Sequence, residues 1–240
     1  MDRPLVSVVI TAFNEERYLG EAIESVLAQT YEPVELIVVD NGSTDATGAV
    51  ARSHPGVSVL ELSPNRGAAG GRNAGFEAST GELISFHDAD DLKLPQKLEL
   101  QVRCLTENPE TGIVLAGQEL MLEPGTELPF WHPETRLPVR RPMLPPTARR
   151  PENFHMLTLL VRREVFERVG PFDPEIGSSE DLDWLFRAGE AGVPVQILEE
   201  SLIRRRIRPE SVTQDPWAVR AGIFRAVKAR IDRQREYEAG

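Results

Sequence analysis

Short apolar runs alternate with amphipathic stretches through the first half of the chain. Leu5–Thr11, Val34–Val39, Val57–Leu62 and Leu83–His87 are largely apolar, the pattern of strands buried on both faces. The segments between them follow a helical period. Arg17–Gln29 places Leu19, Ile23, Val26 and Leu27 on one face. Asn41-Gly42 could signal a hairpin, but Ser43-Thr44-Asp45 and the alanine-rich run to Ser53 read better as a capped helix. A glycine- and alanine-rich helix is predicted over about Ala69–Ser79, closed by Gly81, and another over Pro95–Thr106. This alternation predicts an α/β fold on a mostly parallel, doubly wound sheet.

Ile113–Leu122 reads as a further strand, and then the composition shifts. Between Pro124 and Pro151 lie 8 of the 19 prolines, with Arg136, Arg140, Arg141, Arg149 and Arg150 among them. Such a segment is irregular and long for a compact domain, so it is either a disordered insertion or a functional lid. Met156–Val161 resumes as a strand and Arg163–Val169 as a short helix. Ser179–Ala191 reads as a helix with Leu182, Leu185 and Phe186 inward, Val193–Leu198 as a strand, and Leu202–Ile207 as an arginine-rich edge strand. The last 25 residues form a basic amphipathic helix, with Trp217, Ala221, Phe224, Val227 and Ile231 at helical spacing among Arg220, Arg225, Lys228, Arg230 and Arg233. Either this stripe lies on a membrane surface, or it packs on the domain or on a partner subunit, which leaves a homodimer open.

A chain of 240 residues with 40% hydrophobic residues suits one domain over 1–214 carrying that helix at 215–240. No apolar stretch approaches the roughly 20 residues of a membrane span, and the N-terminus lacks a signal-peptide layout. A lone Cys104 excludes an internal disulfide framework and fits a reducing cytoplasm. The expected location is therefore cytoplasmic, with contact at the inner face of the membrane as the remaining option. Residues 1–120 hold 19 acids against 8 bases, so the whole net charge of −11 sits in the first half. An acidic half excludes nucleic acid as a partner, because nothing there neutralises a phosphate backbone.

The acids gather at strand ends. Asp88, Asp90 and Asp91 follow the strand Leu83–His87, where like charges are costly unless a cation joins them. Oxygen ligation of this kind suits Mg²⁺ or Mn²⁺ clamping a diphosphate; the alternative is a solvated turn in which Asp91 caps the next helix. Thr11-Ala12-Phe13-Asn14-Glu15 and Asp40-Asn41-Gly42-Ser43 follow the first two strands. In an open α/β sheet these ends form one ligand-binding edge.

Those segments, with Arg72-Asn73-Ala74-Gly75, Val169-Gly170-Pro171-Phe172-Asp173 and Ser179-Glu180-Asp181, resemble the family 2 glycosyltransferases of the GT-A fold. The resemblance covers most of the chain outside the proline-rich segment and the tail. It implies a nucleotide-binding half over 1–120, an acceptor-binding half over 152–214, a nucleotide-diphosphate sugar as donor and inversion by single displacement. By the same resemblance Thr11, Ala12, Phe13, Asn14 and Glu15 line the nucleotide, with Phe13 against the base, and Asp40 accepts from the ribose or base. Asn41 stands where many relatives carry an aspartate facing uracil N3–H; an amide matches uracil or thymine at two atoms, which favours a UDP or dTDP sugar. Arg72 reaches the base or diphosphate, or forms a helix-surface salt bridge. Asp88-Ala89-Asp90 is the DxD pair, Asp90 the metal ligand and Asp88 its helper. Glu180-Asp181 is the catalytic motif with Asp181 as base, and Asp183 is the competing choice.

One position departs from the family. Arg206-Ile207-Arg208-Pro209-Glu210-Ser211 puts Arg208 where relatives have a histidine able to complete the metal site. A guanidinium is no ligand for Mg²⁺, so Arg208 is expected to contact the diphosphate, and His87 and His155 are the alternative histidines. The acceptor stays unidentified: a glycan, a lipid-linked sugar, a peptide or a small molecule. A sugar-nucleotide nucleotidyltransferase and a non-catalytic nucleotide-sugar-binding protein are the rival readings. The first should show a glycine-rich basic loop after strand one, which Thr11–Glu15 lacks.

Overall fold

The computed structural model describes residues 3–126, 156–209 and 216–239. The proline- and arginine-rich segment lies almost wholly outside the described residues, as does His155. Strand β1 (Val6–Ala12) sits between β2 (Val34–Asp40) and β4 (Leu83–Asp88), both parallel to it, with β3 (Val57–Glu61) parallel beyond β2. Because side chains alternate along a strand, β1 feeds two cores. Val6, Val8 and Ile10 pack with α1 (Leu19–Leu27) and α4 (Lys97–Glu107); Val9 packs on the opposite side with α3 (Gly67–Ala78). Helix α3 lies close on the sheet because of Gly75, where a Cβ would overlap the Val9 side chain. A second, short helix, α2 (Thr47–Arg52), follows β2.

Beyond β4 the sheet turns mixed. Short β7 (Leu160–Arg162) runs antiparallel to both β4 and β6 (Ile113–Leu122), and β6 pairs in parallel with β8 (Val195–Ile207). Among the described residues the order is β3-β2-β1-β4-β7-β6-β8-β5, with β5 (Leu92–Lys93) antiparallel on β8. The α/β architecture with a mostly parallel sheet is therefore as predicted, and the antiparallel pairings are those of β7 with β4 and β6 and of β5 with β8. The two predicted strands at 193–198 and 202–207 are one continuous β8, flanked on both sides. It shifts register opposite Gly117, where a Cβ would come within 3.1 Å of the Ser201 and Glu200 atoms. Met156–Thr158 is a 3₁₀ turn rather than the start of a strand. Leu27 is 51% exposed, since α1 ends there and its side chain clears the sheet. Gly81 does not close α3: the chain is already extended at Ser79, and Gly81 instead donates its N–H to Ser7 Oγ at 2.8 Å.

Helices α5 (Arg163–Val169) and α6 (Glu180–Glu190) cover the second core with a cluster of Phe86, Phe166, Phe172 and fully buried Trp184. Helix α7 (Pro216–Ala239) packs on α6, and of the predicted stripe Val227 joins that contact while Trp217, Phe224 and Ile231 stay exposed. Gly222 and Ala226 face inward, Arg230 and Arg233 pair with Glu190, and Arg233 also donates to buried Asp183 at 2.9 Å. Trp217 and Phe224 are 75% and 74% exposed. Ala226, Val227 and Ala229 meet Ile176, Leu182 and Phe186 there, so close approach, ion pairing and a small apolar contact together choose the inner face of α7. Among the described residues no helix is long and apolar enough to cross a membrane.

Candidate functional site

The register of the parallel strands builds the site. Thr11 pairs with Asp88 on one side and Val39 on the other, and Ala12 pairs with Asp40, so the carboxyl ends of β1, β2 and β4 are level. Two loops are stapled together above them. Asn14 adopts a left-handed conformation with φ of 54°, donates its N–H to Ser43 Oγ at 3.0 Å and accepts from Thr44 N–H at 2.8 Å. Glu15 N–H donates to Thr47 Oγ1 at 2.8 Å. Phe13 is left 46% exposed at this edge, the place sequence reasoning gave a base-facing ring. Ala12 and Ala89 are buried in the core beneath it, so their side chains offer nothing to a ligand.

Asp40 accepts from Ser43 N–H at 3.0 Å, fixing the turn after β2. Asn41 has a different role from the expected one. Its Nδ2 donates to Gly67 O at 2.9 Å and Asn65 Oδ1 at 3.2 Å, while its Oδ1 accepts from Arg66 N–H at 3.0 Å. The amide is 4% exposed and its donor and acceptor are both engaged in holding the loop before α3, so Asn41 has no free group with which to favour uracil or thymine.

Two arginines grip the acidic pair. Arg72, on α3, donates to Asp88 Oδ1 at 2.9 Å and also bonds Glu180, joining the end of β4 to the start of α6. Burial acts against its charge, but Asp88 and Glu180 hold it firmly protonated. It is thus no surface salt bridge. Arg208, just beyond β8, forks onto Glu15 at 3.1 and 2.7 Å and reaches Asp90 Oδ2 at 2.8 Å. The Tyr18 ring is approached by the guanidiniums of Arg206 and Arg208, each 4.7 Å from its centre, and by that of Arg17 at 4.9 Å. Burial and the charge of Asp88 push the Asp90 carboxyl up to about 6, against the pull of Arg208.

Asp91 caps no helix. It is 2% exposed, accepts from the Arg206 N–H at 2.6 Å, and presents its carbonyl to His87 Nε2 at 3.0 Å, which fastens the acidic turn to β8. Burial raises its carboxyl well above the ordinary range. His87 is fully buried beneath the turn and held neutral by burial and by Lys93 and Lys97, so it is no metal ligand facing the cleft. Both lysines are buried and share the Ser85 hydroxyl, at 3.1 and 3.4 Å. Tyr18, Arg206, Lys93 and Lys97 were not singled out in the sequence. Arg206 alone left a signal, two positions from Arg208 and so on the same face of an extended strand.

On the far side of Arg72, Glu180 is 3% exposed and Asp181 is half-buried, accepting from Leu182 N–H at 2.8 Å. Burial raises both carboxyls, and Arg72 opposes it in each case. Asp183 is 1% exposed and fully used by Arg187 and Arg233, each at 2.9 Å, which removes it as a candidate base. Among the described residues no three acids, histidines or cysteines form a ready metal cage. Asp88 and Asp90 each keep a second oxygen, and Mg²⁺ and Mn²⁺ commonly take one or two carboxylates and complete their shell with phosphate and water, so the pair fits such an ion once a diphosphate is present.

The profile of glycosyl transferase family 2 matches residues 7–170. The chain belongs to glycosyl transferase family 2. Similar family members include a glycosyltransferase of Rickettsia felis, 33% identical over 211 residues that cover 86% of this chain and 35% of the relative. One of Rickettsia typhi is 32% identical, covering 88% and 66%. The chain thus spans about a third to two thirds of the length of these relatives. Among solved structures, Staphylococcus aureus TarS 1-349 in complex with UDP-GlcNAc superposes with a TM-score of 0.69 at 20% identity, covering 88% of this chain and 60% of that one. The mannosyltransferase PcManGT of Pyrobaculum calidifontis, in complex with GDP-Man and Mn²⁺, gives 0.67 at 22%, covering 88% and 59%. The family 2 chain therefore has the GT-A type of fold, as its sequence motifs implied.

Proposed function

We propose that this family 2 domain transfers a sugar, with inversion, from a nucleotide-diphosphate sugar to an acceptor hydroxyl or equivalent nucleophile. One observation carries the reading: a single guanidinium, Arg72, holds Asp88 of the acidic pair and Glu180 beside Asp181, so donor-side and base-side carboxylates share one cleft. Single displacement needs that arrangement, with a base opposite the leaving diphosphate. Asp181 takes the proton from the acceptor nucleophile; the raised affinity of its carboxyl for a proton, caused by burial, suits a base. Phe13 covers the nucleobase, Asp40 orders the ribose-side loop, and Arg72 holds Asp88 and Glu180 in place. Asp90, with Asp88, would hold a divalent ion that stabilises the charge growing on the departing diphosphate. With Asn41 engaged in the fold, UDP, dTDP and GDP sugars enter as equal candidates.

Incubation with Mn²⁺ and a panel of nucleotide sugars tests this. Slow release of free nucleoside diphosphate, lost in Asp90→Asn, is the expected result. Pyrophosphate-dependent formation of a nucleoside triphosphate would instead establish a nucleotidyltransferase. Absence of turnover with any donor and a range of acceptors would leave a binding protein.

A further inference from the structure

Asp90 meets a positive charge before any ligand arrives. Arg208 Nη2 lies 2.8 Å from its Oδ2, Arg206 Nε donates to its backbone carbonyl at 2.9 Å, and the companion Asp88 is bonded to Arg72 at 2.9 Å. Arg208 is held for this task. Glu15 takes its fork through two oxygens, and the Tyr18 ring supports its plane. A divalent ion approaching the acidic pair must compete with a guanidinium already bonded to its principal ligand. A diphosphate changes that balance, because its more highly charged oxygens accept the Nη2 N–H better than a lone carboxylate oxygen does, with the fork still on Glu15.

Resting on the reading of this cleft as a nucleotide-diphosphate site, we propose that Arg208 is a positioning residue that keeps Asp90 from capturing a divalent cation until a diphosphate arrives. The guanidinium then exchanges its bond to Asp90 for one to phosphate oxygens, while Glu15 retains its grip, and Asp90 is released to the cation. Cation and diphosphate consequently bind with strong mutual preference. The histidine-to-arginine departure thus replaces a third metal ligand with a coupling element.

The proposal gives Arg208→Gln effects of opposite sign in two measurements. Mn²⁺ alone is titrated into the full chain and followed by the loss of the free-ion paramagnetic resonance signal. UDP and GDP are then titrated by calorimetry at saturating Mn²⁺. Removing one competing charge-assisted bond should tighten binding of Mn²⁺ alone by about three- to tenfold, and weaken nucleoside diphosphate binding by about tenfold or more. A merely structural role would weaken both. Glu15→Gln, which leaves the guanidinium in place but loosens its anchor, should lower nucleotide affinity less than Arg208→Gln does. Unchanged or weaker binding of Mn²⁺ alone in Arg208→Gln would overturn the competition. If neither nucleotide binds the unaltered protein at any Mn²⁺ concentration, the reading of the cleft fails instead, a result the titration of Mn²⁺ alone does not depend on.

Discussion

Asp181, the proposed base, and Asp183, an ion-pair partner, stand two residues apart at the head of α6, and a pair of isosteric substitutions separates their tasks. Asp183 is 1% exposed and accepts from Arg187 and Arg233 at 2.9 Å each. Asparagine keeps the shape but offers one carbonyl oxygen and turns an amide N–H towards the other guanidinium. Removing one partner from a buried ion pair costs about 3–5 kcal/mol. Here the loss is smaller, because Arg187 also donates to Val169 and Pro171 carbonyls and Arg233 also pairs with Glu190. Asp183→Asn should therefore cost about 2–3 kcal/mol, which at roughly 2–4 °C per kcal/mol for a chain of this size lowers Tm by about 4–12 °C. Asp181→Asn should behave the other way. Burial raises its carboxyl, so ionising it costs the folded state energy, and a neutral amide there leaves Tm unchanged or slightly higher. Turnover should instead fall by about two to four orders of magnitude, the usual contribution of a general base. Thermal unfolding by circular dichroism, with release of nucleoside diphosphate measured well below either Tm, reads both axes. A fully stable, inactive Asp183→Asn beside an active Asp181→Asn would refute the assignment.

Two further substitutions probe the walls of the site. Asn41→Asp sets a carboxylate against Gly67 O and Asn65 Oδ1, where an amide now donates at 2.9 and 3.2 Å; it should cost about 2–3 kcal/mol in chemical denaturation and leave the ranking of UDP, dTDP and GDP unchanged, and a stable variant with altered ranking would restore Asn41 as the base reader. Lys93 is lowered by burial from 10.5 to about 7, so the unfolded chain holds a proton that the folded one releases, and stability from this group rises with pH by about 5 kcal/mol between those limits. Lys93→Met should therefore be more stable than the parent at pH 7, by a margin that narrows as pH approaches 10, and equal margins at both pH values would show that the lysine is not buried uncharged.

The strands were legible because β1, β2 and β4 are buried on both faces and cannot hide their apolar runs, and the acids at their ends mark where burial stops. The contacts that organise those acids were not. Arg72 meets Glu180 across 108 positions, and no local pattern encodes that. Arg208 drew notice as a departure from a motif, yet its partners Glu15 and Tyr18 come from the far end of the chain. Asn41 misled for a chemical reason: an amide that satisfies a loop carbonyl and a loop N–H has the same donor and acceptor as one that reads a pyrimidine. On α7 the periodicity was sound but the inference about which side is buried was not, because α6 presents Asp183 and Glu190 and so draws in arginines and small residues, leaving Trp217 and Phe224 outside. Strand β5, at two residues, is too short to carry a period at all.

The bridge made by Arg72 bears on how this scaffold can be re-engineered. GT-A domains invite construction of hybrids, in which the half that holds the nucleotide is joined to a foreign half that selects the acceptor. In this chain such a seam, cut anywhere between β6 and α6, would separate Arg72 from Glu180, two groups that are 8% and 3% exposed and neutralise one another. A graft lacking an acid at position 180 would strand a buried guanidinium and leave Asp88 as its one carboxylate partner among the described ion pairs, disturbing the proposed donor site through a change made in the other half of the chain. The interchangeable unit is therefore not the half-domain but the half-domain together with the residue that faces Arg72.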